Sequence, residues 1–193
     1  MRDRNISNMI TSIIAAVITT AGIPLIIVKY ANYSKLGVIL LSIAYPFLLV
    51  YFILKSVYFG LNNDIAKGTL FRIYRVFIDL FICLVISYFT LNITSNIKWI
   101  IFGFVCLFSL FNVFSSIFDS LNIVRWILQA IMMILLIYII LSTFSYSFVV
   151  FMGIVSSVLF FVGNTVGRIT NNKILLSSDI ISVTLFSLFL LFI

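Results

Sequence analysis

Histidine and glutamate are both missing from this sequence, and its five acids, Asp3, Asp64, Asp79, Asp119 and Asp179, stand far apart. Without histidine there is no His-ligated haem, no His-based metal centre and no His-activated nucleophile. Without glutamate, Glu-based coupling is excluded as well. No GxSxG, Walker or glycine-rich phosphate loop occurs. The two cysteines, Cys83 and Cys106, fall inside apolar runs and read as small hydrophobes, not as a disulfide or a metal pair. The expectation is a protein that is not an enzyme, with no catalytic residues, no metal and no cofactor.

Charge is scarce too. Of 193 residues only 9% are charged, where about a quarter is usual in soluble domains. What fills the chain is apolar: 64% of it is hydrophobic and the mean hydropathy is +1.31. A soluble fold cannot hide that much apolar surface, so the expected class is an all-α integral membrane protein. No cleavable signal peptide is evident. The first apolar run, from near Met9, is of full membrane length without a small-residue cleavage site, and reads as a retained span.

A spanning helix takes about 20 apolar residues. That ruler predicts seven transmembrane helices near 9–28, 37–58, 74–92, 97–118, 123–142, 147–166 and 175–193. "STFSYS" (142–147) then acts as a tight polar turn between the fifth and sixth. The net charge of +7 comes from cations placed between apolar runs, which speaks for membrane orientation rather than nucleic acid. With the N-terminus inside, Arg2, Arg4, Lys55, Lys67, Arg72, Arg75, Arg125, Arg168 and Lys173 face inward. Only Lys29, Lys35 and Lys98 face outward. Nine of twelve on one side predicts the N-terminus inside and the C-terminus outside. "GLNNDIAKGTLFRIYR" (60–75), the longest polar run, is then the main inner anchor, with anionic lipid headgroups as its neighbours. Localisation in the cell membrane follows, and an Ile/Phe/Asn-rich, Cys-poor chain suggests a bacterial one.

Polar and small residues recur at helical spacing. Asp79, Cys83, Ser87 and Thr90 share a face of the third span; Ser109, Asn112, Ser116 and Asp119 share one of the fourth. Arg125 and Gln129 are one turn apart in the fifth. The sixth carries Gly153, Ser156, Ser157, Gly163, Asn164 and Gly167, a stripe that predicts close helix packing. Thr11, Ala15, Thr19 and Gly22 mark the first. Arg75 and Asp79, also one turn apart, predict a local ion pair near the interface. Asp119 and Arg125, at adjacent span ends, are placed to reach headgroups. Pro24 and Pro46 allow kinks that membrane helices tolerate.

Three stretches carry a family resemblance. "IPLIIVKYANYSKLGVILLSIAYPF" (23–47), "FGLNNDIAKG" (59–68) and "FNVFSSIFDSLNIVRWILQAIMMILLIYIILSTFSYSFVVFMGIVSSVLFFVGNTVGRITNNK" (111–173) together resemble the front half of a lipid-linked oligosaccharide flippase. These flippases are the O-antigen and capsule polysaccharide branch of the superfamily that holds the MATE exporters. The resemblance implies one transmembrane domain over 1–193: a six-helix lobe at 9–174, then a seventh helix at 175–193 that begins a second lobe. It further implies translocation of a polyprenyl-linked glycan in polysaccharide biosynthesis, with Arg75 and Arg125 on its diphosphate, Gln129 and Asn112 on its sugars, and Asp79 beside them. Family members have about twice this length, so the chain is expected to act with a second copy or a second membrane subunit, or to be part of a longer carrier. Two other readings remain open: an ABC-exporter permease subunit, suggested by "NDIAKGTL" after two spans, and a non-transporting accessory or immunity protein.

Overall fold

The computed structural model describes residues 2–30, 35–118, 121–144, 148–170 and 178–192. Among them the chain forms seven helices and no strand: α1 (Arg2–Tyr30), α2 (Lys35–Gly60), α3 (Asp64–Leu91), α4 (Ile97–Ile117), α5 (Asn122–Thr143), α6 (Phe148–Thr170) and α7 (Ser178–Phe192). The fold is all-α and membrane-like. Four stretches, Ile6–Lys29, Lys35–Gly60, Ile97–Ile117 and Ile123–Thr143, are long and apolar enough to cross a membrane, and Val150–Val162 and Ile180–Leu190 are shorter apolar helices. Large apolar side chains such as Val28, Leu110, Ile134 and Phe148 stand exposed around the outside, as they do where lipid replaces water as solvent.

The helices outrun the apolar ruler at several ends, for a local reason at α3. Asn63 has extended backbone and its Oδ1 accepts from the Ile65 and Ala66 amides at 3.0 and 3.2 Å. That cap satisfies two of the orphan N–H groups of a new helix, and Asp64 in the first turn complements its positive end. The basic stretch expected as a loop is therefore helical from Asp64 onward, with only residues 61–63 left as connection. Hydropathy measures the lipid-facing part of a helix; capping decides where it starts. α1 and α2 run through Pro24 and Pro46 without a break.

The packing order gives the architecture. α1 lies against α2 and α7, α2 against α3, α3 against α5, α5 against α6, and α6 against α7. Six helices thus close a ring, while α4 packs outside it on α3 and α5 and turns Phe104, Leu107, Leu110 and Phe114 outward. α7, which the resemblance assigns to a second lobe, is the element that closes the ring onto α1. α3 is buried at every position from Val85 to Thr90.

Close approach explains the small residues of α6. A methyl group at Gly153 would lie 2.6 Å from the Phe189 ring of α7, which is itself buried against Phe89 and Phe186. Ser156 and Ser157 both donate to the Gly153 carbonyl at 2.8 Å. Gly163, Asn164 and Gly167 fall in the last turns of α6, and their side chains lie outside the described part, as do Asp119 and residues 145–147 of the polar turn.

Candidate functional site

Buried hydroxyls in lipid have two ways to be satisfied: by their own helix or by a neighbour. Ser12, Thr19, Thr90, Ser115, Ser156 and Ser157 take the first. Ser12 donates to Asn8 O, Thr19 to Ala15 O and Thr90 to Ile86 O, all at 2.8 Å. Such residues let helices pack closely without linking them. Thr11 and Thr19 of the α1 stripe and Ser156 and Ser157 of the α6 stripe are of this kind.

The stripes of α3, α4 and α5 differ, because they bond across helices at one point. Asp79 of α3 is 1% exposed and Arg125 of α5 is 4% exposed. The arginine grips the carboxylate side-on, Nε to Oδ2 at 3.3 Å and Nη2 to Oδ1 at 3.2 Å. Ser116 of α4 donates to Oδ2 and receives Nε at 2.8 Å. Gln129, one turn beyond Arg125, donates its Nε2 to Oδ1 at 2.7 Å. The carboxylate thus accepts four hydrogen bonds from three residues on two other helices. A charge buried this far is tolerated only when paired and fully hydrogen-bonded.

This arrangement changes two expectations. Asp79 pairs with Arg125, forty-six positions away, and not with Arg75 one turn before it. Arg75 is buried, with its guanidinium stacked over the Phe71 ring at 4.6 Å, so it points back along α3 and away from the carboxylate. Arg125, expected at an interface among headgroups, is instead enclosed between α3 and α4. Lys55, counted among the loop cations, is also buried and bonds the Tyr51 hydroxyl at 3.2 Å.

On the inner side of the network lies a cavity of about 60 Å³, room for several water-sized groups since one needs about 10–15 Å³. It sits within the helix ring, with walls from α2, α3, α5, α6 and α7. One side is polar: Arg125, Gln129, Ser156, Ser157 and Ser182. The rest is apolar, with Phe81, Met132, Met133, Phe160 and Phe186 prominent. Of the site residues expected from sequence, Arg125 and Gln129 line this cavity and Asp79 anchors them from behind. Asn112 and Arg75 do not line it. Asn112 is buried on the α4 face, and its Oδ1 makes no hydrogen bond among the described residues. The sequence pattern does not single out Ser182 of α7, whose step of four from Ser178 is the only available signal. Cys83 and Cys106 are free and half-buried.

No family model, no curated protein and no solved structure matches the chain.

Proposed function

We propose that this chain is a multi-pass carrier protein of a bacterial cell membrane, and that it takes a lipid-borne amphipathic molecule into its ring of helices. The observation that carries this reading is the cavity itself. A polar wall held by a buried ion pair faces an aromatic and methionine wall inside a closed ring, which matches a ligand with a hydrogen-bonding head and an apolar tail. An intramembrane ionisable pair beside a cavity is a functional candidate by default. The resemblance in the sequence puts the substrate in the class of lipid-linked oligosaccharides, and a second copy or subunit supplies the rest of the translocation path. Seven crossings follow from the apolar ruler, and the N-terminus inside follows from the cation bias, which still favours that side when the buried Lys55, Arg75 and Arg125 are set aside. Lys67 and Arg72, on the helical extension of α3, then meet anionic lipid.

Reconstitution in proteoliposomes with a fluorescent polyprenyl-linked oligosaccharide tests the reading. Translocation should depend on the chain, and Arg125→Ala should reduce it at least about tenfold, the loss expected when one charged contact goes, with membrane insertion unchanged. Full translocation by Arg125→Ala would remove Arg125 from the site. A second reading has one observation in its favour. The cavity is far smaller than an oligosaccharide, and the outer face of α4 is broad and apolar, as suits a non-transporting accessory protein that binds another protein's spans.

A further inference from the structure

The polar wall of the cavity carries no net charge, and this decides what part of a ligand it can hold. Among the described residues Arg125 is the one charged group on the wall, and its positive charge is matched by Asp79 directly behind it at 3.2 Å. Gln129, Ser156, Ser157 and Ser182 are neutral. A phosphate or diphosphate placed here would gain Arg125 only by competing with a carboxylate that already holds it side-on. It would also stand near that carboxylate's negative charge in a low-dielectric interior.

The network nevertheless leaves hydrogen-bonding capacity on residues that line the cavity. The side-on grip uses Nε and Nη2 of Arg125 and leaves Nη1 on the other edge, with no hydrogen bond among the described residues. Gln129 spends Nε2 on Asp79, and its Oε1 likewise has no partner among the described residues. Ser156 and Ser157 give their protons to the Gly153 carbonyl and keep acceptor lone pairs. A fixed donor next to a fixed acceptor, one helical turn apart, fits a group that is donor and acceptor at once.

We propose that the cavity is a docking site for one uncharged, hydroxyl- or amide-bearing ring of an amphiphile's head group, such as a single sugar, with the ring's C–H face against Met132, Met133, Phe160 and Phe186. This rests on the amphiphile-carrier reading and names the group it recognises: the neutral glycan end of a lipid-borne substrate and not its phosphate.

Two photoreactive probes with the same alkyl tail and a diazirine on the tail carbon next to the head, one with a glucoside head and one with a phosphate head, are added to the full chain in lipid nanodiscs, and labelled residues are mapped by mass spectrometry. The glucoside should label Met132, Met133 or Phe160, and the phosphate should label them about tenfold less, the cost of leaving buried polar groups badly matched. Gln129→Leu should cut glucoside labelling about tenfold. Because that change also takes a donor from Asp79, Met133→Trp, which fills the cavity without touching the network, should abolish it too. Phosphate labelling equal to or above glucoside labelling overturns the neutral-head inference and leaves the carrier reading standing. No cavity labelling by either probe removes both.

Discussion

At the residue scale the structure turns on one carboxylate. Asp79 is buried, and removing Arg125 alone would strand its charge, so Arg125→Gln should cost about 3–5 kcal/mol of stability, as broken buried pairs do. Replacing both partners, Asp79→Asn with Arg125→Gln, should cost less than Arg125→Gln alone, because no charge is then left without its counter-ion. Equilibrium unfolding in mixed micelles reads this cycle; additive losses would mean that the two side chains act separately. How much of this was legible in the sequence depended on distance along the chain. That Asp79, Ser116 and Gln129 each stand on a polar face of their helix follows from the helical spacing, whereas the burial of Arg125, placed by the sequence at a span end, does not. That Arg125 and not Arg75 is the partner of Asp79 does not follow either, since spacing within one helix says nothing of which neighbouring helix comes close. Asn112 shows the same limit: it is on the expected buried face, yet the helix that carries it packs outside the ring.

At the scale of the elements, hydropathy located every helix but misjudged where several begin. Asn63 starts α3 ten residues before its apolar run, and the basic stretch there is a helical extension rather than a loop. Two glycines that look alike in sequence separate here. At Gly153 an added methyl would meet the buried Phe189 ring, so Gly153→Ala should destabilise the α6–α7 contact by about 1–3 kcal/mol, the usual cost of overpacking. Gly68, in the exposed first turns of α3, has nothing within 4 Å. There Gly68→Ala should stabilise by about 0.5–1 kcal/mol through helix propensity alone. Thermal melts of the two variants in the same detergent check both signs, and a stabilised Gly153→Ala would contradict the packing described for α6 and α7.

At the scale of the whole molecule, the ring with α4 outside it is the part least visible in sequence, because it depends on α7 returning to α1. Closing that ring produces a cavity from five helices, none of which lines more than part of it. The proposed function depends on this cavity holding an amphiphile, and native mass spectrometry of the chain in lipid nanodiscs, with lipids retained, tests that most directly. The expected result is a bound amphiphile on the wild-type chain that is lost in Met133→Trp, whose indole would occupy the same space. A wild-type chain with no bound amphiphile, or a Met133→Trp chain that keeps it undiminished, would show that the cavity is only a packing gap between helices.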